Sequence, residues 1–256
     1  MRSTDEVLDE LTTLSHFLGD PVRDLAILGE GNTSAKLNED TFFVKASGQH
    51  LGSISPSGFC SCRFSKILPL FEEGDELTDL EVKQALVDCK TDGDTGVMPS
   101  VETFFHAYLL SLPNVNFIGH THPTAVNAIL CSKNAREALA GRLFPDEIVC
   151  CGPAPCFVEY TDPGLVLSKQ IKLRVEEHFD QYGEWPKTIL MENHGLIAAG
   201  KSVKDVQTIT SMYVKTARVL LGTYAFGGPN FMTQAQVDRI HTRPDEHYRQ
   251  RQIAAK

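Results

Sequence analysis

The chain is organised around the segment Val115-Asn116-Phe117-Ile118-Gly119-His120-Thr121-His122-Pro123. Its first residues are β-prone, and Pro123 cannot donate to a strand ladder, so we expect a strand that ends there. Residues two apart on a strand project from the same face, which places the imidazoles of His120 and His122 side by side. Two aligned imidazoles form the beginning of a metal site.

A third imidazole follows far downstream. His194 comes after the apolar run Ile189-Leu190-Met191 and directly before Gly195, which predicts the end of a buried strand at a tight turn. There His194 can close a facial site with His120 and His122.

A carboxylate precedes the histidine pair. Ser100 is expected to be the N-cap of a helix, which places Glu102 in the first turn, where the helix dipole favours negative charge. We interpret His106, one turn further, as a supporting residue rather than a ligand. The apolar face of this helix is predicted to consist of Val101, Phe104, Phe105, Tyr108 and Leu112. Three imidazoles without a thiolate favour a catalytic metal, with zinc preferred and manganese, cobalt or iron(II) as alternatives.

Composition limits the class of protein. The 256 residues, 42% of them hydrophobic, suit one domain over residues 1–256, with a polar C-terminal tail from about residue 234. The chain has no run of about 18 apolar residues and no signal-peptide apolar region at its start, so we expect a soluble, cytoplasmic protein. The seven cysteines are expected to be reduced thiols. The net charge of −9 argues against nucleic acid or an anionic membrane as a partner.

Hydrophobic periodicity adds the surrounding elements. Helices are expected over residues 5–18, ended by Gly19, over residues 163–182, and from Ser202 with Asp205 onward. Phe42-Phe43-Val44-Lys45 is the clearest of several short strands expected between residues 26 and 58. This irregular alternation indicates an α/β fold.

One motif points to a different class of protein. Gly195-Leu196-Ile197-Ala198-Ala199-Gly200-Lys201-Ser202 matches the phosphate-loop pattern GxxxxGK[ST]. A phosphate loop must turn its backbone amides around a phosphate, whereas Leu-Ile-Ala-Ala is typical of an apolar strand. We therefore interpret these residues as a strand between two glycines and not as a nucleotide site.

Five motifs, taken in order, resemble one known family. They are Gly31-Asn32-Thr33-Ser34, Lys45-Ala46-Ser47-Gly48, Pro99-Ser100-Val101-Glu102, His120-Thr121-His122-Pro123 and Glu192-Asn193-His194-Gly195. Their order and spacing resemble the class II aldolase/adducin family, with similarity over roughly residues 7–225.

The resemblance implies a fold and an activity. The fold would be a three-layer α/β/α sandwich with a central, mainly antiparallel sheet, assembled as a homotetramer with sites at subunit interfaces. The activity would be that of a metal-dependent aldolase, a carbon–carbon lyase that cleaves a ketose 1-phosphate to dihydroxyacetone phosphate and an aldehyde through a metal-stabilised enediolate. One divalent metal per subunit would be held by Glu102, His120, His122 and His194.

The resemblance also implies roles in proton transfer. Glu102 would be displaced from the metal by substrate and would then move protons at the enediolate carbon. A second acid comes from a neighbouring subunit in the aldolases. Tyr160 is the preferred counterpart here, with Glu159 and Tyr248 as alternatives.

For the sugar phosphate, the resemblance implies binding by Asn32, Ser47, Gly48 and Ser100. Val101 stands where fuculose-type aldolases carry a second Ser, so one phosphate donor of that branch is missing.

Other functions stay open at this point. Within the fold, the alternatives are an epimerase, a dehydratase or a decarboxylase of a sugar phosphate, or a non-catalytic scaffold like adducin. Glu102 argues against the epimerases, which carry Asp there, and against the dehydratases, which lack the matching Glu. The ligand types alone are also compatible with a metallohydrolase.

Overall fold

A seven-stranded sheet forms the centre of the computed structural model, which describes residues 2–72, 77–91 and 96–245. The strands are β1 Asn32–Lys36, β2 Thr41–Lys45, β3 Phe59–Arg63, β4 Phe117–Thr121, β5 Cys156–Val158, β6 Thr188–Met191 and β7 Gly195–Gly200. Their order is β3-β2-β1-β4-β7-β6-β5, and every neighbouring pair is antiparallel except β5 with β6. The expected mainly antiparallel sheet is confirmed.

Helices cover both faces of this sheet. They are α1 Thr4–Leu18, α2 Phe64–Ile67, α3 Asp79–Asp88, α4 Thr103–Ser111, α5 Thr124–Leu130, α6 Ala135–Ala138, α7 Pro145–Cys151, α8 Leu165–Tyr182, α9 Val203–Thr223 and α10 Gln234–His241. One apolar core lies between the sheet and α4 with α8, and a second lies between the opposite face and α1, α5, α7 and α9. The three-layer α/β/α architecture is therefore confirmed.

Helix α1 follows its sequence pattern closely. Ser3 and Glu6 form a capping box at its start, and its apolar stripe is fully buried against the sheet. Gly19 ends the helix as expected. Only glycine fits at this position, because a Cβ would lie 2.1 Å from the backbone nitrogen of Gly52. This close approach fixes the loop after α1 beside the edge of the sheet that carries the histidines.

Strand β7 contains the residues of the phosphate-loop pattern. All six residues from Gly195 to Gly200 are buried. Residues 196–200 pair with β4 on one side, and residues 195–198 pair with β6 on the other. Their backbone groups are therefore used in a sheet ladder and cannot cradle a phosphate. The strand interpretation is confirmed, as is the capping box of Ser202 and Asp205 that opens α9.

The start of α4 corrects one prediction. Ser100 is not the N-cap, since the helix begins at Thr103 and Glu102 occupies the cap position. Ser100 instead closes a local turn: its Oγ accepts from the Glu102 amide at 3.3 Å and its carbonyl accepts from the Thr103 amide at 3.0 Å. Such a serine turn competes with helical hydrogen bonding and delays the helix. Val101 lies in this turn and is 46% exposed, so it is not on the apolar face.

The remaining expectations about the chain concern cysteines, membranes and the tail. None of the seven cysteines, all of which lie in the described residues, forms a disulfide bond, as expected. No described helix has the length and apolar character needed to cross a bilayer. The tail begins with α10, and Tyr248, one of the alternatives for the second acid, lies outside the described residues.

Candidate metal centre

The three predicted histidines meet at one edge of the sheet. His120 lies near the end of β4, His122 directly follows that strand, and His194 ends the three-residue loop between β6 and β7. One ligand nitrogen from each histidine lies within 4.8 Å of the others. Asn193 makes the tight loop with a left-handed backbone, φ 50°, which turns His194 back toward β4.

Hydrogen bonds fix the orientation of these rings. His120 Nδ1 lies 3.1 Å from the carbonyl oxygen of Leu196, and because a carbonyl only accepts, Nδ1 carries the proton. His120 Nε2 then faces the other histidines. Asn127 Nδ2 donates to the carbonyl oxygen of His194 at 2.9 Å and ties its loop to α5. Outer contacts of this kind orient the ligands of metal sites.

Glu102 lies against the same cluster and is 8% exposed. Its Oε1 is 3.1 Å from His194 Nε2 and 3.5 Å from His120 Nε2, and its Oε2 accepts a hydrogen bond from Asn32 Nδ2. Burial acts to raise the pKa of Glu102, but the attraction and hydrogen bonds of His120 and His194 outweigh it and hold this pKa well below its ordinary value. Glu102 is therefore an ionised carboxylate at neutral pH.

The donor set fits a divalent metal ion. His120 Nε2 and His122 Nε2 lie 3.0 Å apart, a distance at which two lone pairs repel unless a proton or a cation lies between them. Burial, with His120 and His194 nearby, lowers the pKa of His122 to about 3, so that His122 is neutral at neutral pH and its lone pair is available. Neutral imidazoles with a carboxylate are typical ligands of catalytic zinc and related metals.

The residues expected to hold phosphate surround the segment that leads to Glu102. Asn32 is buried and opposite His120 on the neighbouring strand, and its amide is engaged by Glu102. The Ser47 amide donates to the carbonyl oxygen of Met98 at 2.8 Å, which places the exposed turn of Ser47 and Gly48 beside this segment. Gly48 has φ 78°, a conformation that favours glycine.

The two described candidates for the second acid have different surroundings. Glu159 is engaged by three side chains, those of Arg136, Arg174 and Gln170. Burial acts to raise the pKa of Glu159, but its hydrogen bonds outweigh this effect and keep the pKa below its ordinary value. These contacts occupy both carboxylate oxygens of Glu159 and leave it less available to a substrate.

Tyr160 is less constrained. Its side chain is 52% exposed, its hydroxyl lies 3.5 Å from Asp162 Oδ1, and its backbone amide donates to Glu192 Oε2 at 3.2 Å. Because β5 is parallel to β6, Tyr160 leaves the sheet at the same edge as His194. Its phenol is therefore accessible at this edge.

Sequence reasoning gave no role to three residues that support this site. Lys45 is buried, and its Nζ donates to the carbonyl oxygens of Gln49 at 2.7 Å and Gly29 at 3.3 Å. It therefore joins the loop before Asn32 to the turn at Ser47. Burial lowers the pKa of Lys45, and Glu102 opposes that effect. The available signal was a lysine at a position expected to be buried in a strand, because such a charge needs partners.

The other two residues contact the histidines. Glu30 Oε1 lies 3.7 Å from His122 Nδ1, and Asn127 holds the loop of His194 as described above. Neither residue has a sequence signal, because each contact joins segments that are far apart in the chain.

A cavity of about 660 Å³ lies at the opposite end of the sheet, between the start of β6 and the end of β7. It contains none of the predicted catalytic, phosphate or metal residues. The cavity is also remote from the cluster formed by His120, His122 and His194, and converging titratable groups of that kind are typical of functional sites.

Fold and site together define a three-layer α/β/α protein with a histidine cluster that could hold a metal ion. The model of the class II aldolase and adducin N-terminal domain matches residues 11–221. The chain therefore belongs to the class II aldolase and adducin family.

Known relatives share this fold. The uncharacterized oxidoreductase YuxG of Bacillus subtilis (strain 168) is 29% identical over 221 residues, which cover 83% of this chain and 28% of that protein, so the chain spans less than a third of its length. The N-terminal class II aldolase domain of a conserved protein from Thermoplasma acidophilum is 25% identical, with a TM-score of 0.67 and coverage of 86% of this chain and 96% of that chain. An L-fuculose 1-phosphate aldolase is 17% identical, with a TM-score of 0.68 and coverage of 94% and 96%, which indicates a shared fold.

Proposed function

We propose that this chain is a metal-dependent aldolase that cleaves a ketose 1-phosphate to dihydroxyacetone phosphate and an aldehyde. The observation that carries the proposal is the position of Glu102, whose ionised carboxylate lies against His120 and His194 and is bonded to Asn32. This arrangement places the proposed metal ligands, the proposed proton-transfer group Glu102 and the polar amide of Asn32 within contact of one another. A scaffold would not need this buried charge, because burying an ionised group costs free energy.

His120, His122 and His194 would hold the metal, zinc in the first instance, with Glu102 as a fourth ligand before substrate binds. When bound, a divalent ion supplies a Lewis acid that polarises the carbonyl of the substrate. The protein groups then perform the proton transfers.

Cleavage requires two such transfers. The hydroxyl next to the bond that breaks gives up its proton, the carbon–carbon bond breaks, and that hydroxyl carbon becomes the aldehyde. The electron pair of the broken bond passes to the carbon beside the carbonyl, where a proton must be delivered. The Tyr160 hydroxyl accepts the substrate's hydroxyl proton as it gives up its own to solvent, and Glu102, ionised at rest, takes up a proton from solvent and delivers it to that carbon. We assign the hydroxyl to Tyr160 and not to Glu159, because Glu159 is held by its arginine partners.

Phosphate binding is assigned to Asn32, Ser47, Gly48 and Ser100. The buried ammonium of Lys45 adds positive charge next to these groups while its own bonds to carbonyl oxygens hold the two loops in place. A net charge of −9 makes such a local positive contribution necessary for an anionic substrate.

We propose a homotetramer in which Tyr160 serves the site of a neighbouring subunit. The half-exposed side chain of Tyr160, at the same sheet edge as His194, supports this assignment. Residues at an interface between copies are exposed in the single chain and become buried on assembly.

The test combines metal analysis of the purified protein with an assay of dihydroxyacetone phosphate release over a panel of ketose 1-phosphates, with and without chelator. Release that chelator abolishes and added zinc restores is the expected result. Bound metal without release from any ketose 1-phosphate would favour an epimerase, dehydratase or decarboxylase. A protein that takes up no metal under any loading condition would favour an adducin-like scaffold.

A further inference from the structure

Two polar contacts join the start of α4 to β1 beside the histidine cluster. Asn32 and Ser34 are two apart on β1 and share a face, and Glu102 and His106 are four apart and share a face of the helix. Asn32 bonds to Glu102, and Ser34 Oγ lies 2.7 Å from His106 Nδ1. Within the described residues, these are the side-chain hydrogen bonds that connect Glu102 and α4 to β1. The proposed reaction uses the first contact and leaves the second unexplained.

The second contact is fully enclosed. Ser34 and His106 are both 0% exposed, and the His106 ring stacks on Phe105 with centroids 4.6 Å apart. The edge of Phe105 in turn meets the ring of His120 at 5.7 Å. His106 Nε2 has no hydrogen-bond partner among the described residues, so Ser34 supplies the polar contact that orients the ring.

Turnover makes different demands on the two contacts. Asn32 is assigned to the phosphate of the substrate and Glu102 to proton transfer, so the bond between them must open during each reaction cycle. The Glu102 cap makes no side-chain capping bond, and the Ser100 turn before it lies in the same segment and does not tie the helix to β1. When the first contact opens, the bond between Ser34 and His106 is the remaining side-chain hydrogen bond that ties α4 to β1.

We propose that Ser34 and His106 are positioning residues that keep Glu102 at its working distance from the three histidines while Asn32 engages the substrate. This inference rests on the proposed function. A displacement of about 1 Å at a catalytic group can cost on the order of 100-fold in rate. A contact that keeps α4, and with it Glu102, in place therefore has a measurable kinetic effect.

His106 could act through its hydrogen bond to Ser34 or only through the packing of its ring. Two variants that keep a polar atom at one or the other ring nitrogen position distinguish these roles. His106→Asn keeps a polar atom near the Nδ1 position, whereas His106→Gln keeps one near Nε2. We expect Ser34→Ala and His106→Gln to lower kcat by about 10- to 100-fold with little change in KM or metal content, as is typical for the loss of an outer contact at a metal site. His106→Asn should retain most of kcat. Equal losses in His106→Asn and His106→Gln would overturn the proposal, because ring packing would then explain both.

A second measurement does not depend on catalysis. We would titrate Co²⁺ into Ser34→Ala, Asn32→Ala and the double variant, because Glu102 contributes to the metal site only while it is held in place. If either contact alone can hold Glu102 in place, each single variant loses little Co²⁺ affinity. The double variant should then lose more than the product of the two single fold-losses. Leu109→Ala, a buried apolar change on the same helix, combined with Asn32→Ala is the matched control and should give only the product.

The two proposals fail in different ways. A double variant whose Co²⁺ affinity falls only by the product of the single effects would overturn the positioning role. A greater-than-product loss, in a protein that releases no dihydroxyacetone phosphate from any ketose 1-phosphate, would support the positioning role and refute the aldolase.

Discussion

His122 Nε2 lies 3.0 Å from His120 Nε2, although only His120 belongs to strand β4. The backbone amide of His122 donates to the carbonyl oxygen of Leu25 at 2.9 Å, which anchors His122 just beyond the strand. The short distance between the two Nε2 atoms shows that both imidazoles project from the same face, as expected for residues two apart on a strand. Their convergence is the basis of the first prediction.

His122→Ala should remove the metal. We expect its metal affinity to fall by more than about 100-fold, because even the loss of an outer contact of a ligand costs about 10- to 100-fold. Elemental analysis after dialysis against a buffered metal solution measures this loss. His50→Ala, which changes an exposed histidine outside the cluster, is the control. A His122→Ala protein with a full metal complement would show that this imidazole is not a ligand.

Glu102→Gln should separate metal binding from proton transfer. The amide oxygen of Gln can still accept the hydrogen bond from Asn32, so the site keeps its shape, but an amide cannot shuttle protons at neutral pH. We expect most of the metal to remain while kcat falls by about 100- to 10,000-fold, the usual contribution of general acid–base catalysis. Full activity in this variant would refute the assigned role of Glu102.

Tyr160→Phe and Glu159→Gln should affect different properties. Tyr160→Phe removes only a hydroxyl from a half-exposed side chain and should lower kcat by about 100-fold or more without loss of stability. Glu159→Gln weakens the contacts with Arg136 and Arg174 and should reduce the free energy of unfolding by at most about 1 kcal/mol per pair, with little effect on kcat. Rates and urea denaturation of both variants measure these effects, and the reverse pattern would make Glu159 the second acid.

The pairing of His120 with His122, and the position of His194 at a turn, could be predicted from sequence because both are local features. Spacing on a strand brings His120 and His122 together, and an apolar run before a glycine places His194 at a turn. The continuous apolar runs of β6 and β7 likewise predict that both strands are buried. The strand order was not available from these patterns, and the mainly antiparallel character of the sheet was expected only from the family resemblance.

The parts that sequence did not predict depend on contacts between distant segments. Glu159 gains its arginine partners from α6 and α8, and Ser34 meets His106 only because α4 packs across β1. The start of α4 was misplaced for a local reason, since a serine can cap a helix or close a turn with the same hydroxyl. At Ser100 the turn is formed instead.

The last prediction concerns Lys201, the lysine of the phosphate-loop pattern. Its amide and that of Ser202 both donate to Asp205 Oδ2 at 3.1 Å, so a carboxylate already occupies the place where such a loop would receive a phosphate. Lys201→Ala should therefore leave turnover intact and change the free energy of unfolding by no more than about 0.5 kcal/mol, as is usual for an exposed position. Calorimetric titration with ATP and Mg²⁺ should detect no binding to either protein.

Asp205→Ala is the informative companion of this variant. It removes the capping box of α9 and should cost about 1 kcal/mol of stability, which denaturation measures. If the Asp205 carboxylate excluded a nucleotide only by its charge, Asp205→Ala would acquire ATP affinity that depends on Lys201. We expect none, because the glycines of β7 remain paired with β4 and β6 and their amides cannot turn toward a phosphate. ATP binding by the wild-type protein that Lys201→Ala abolishes would contradict this account and make the motif a true phosphate loop.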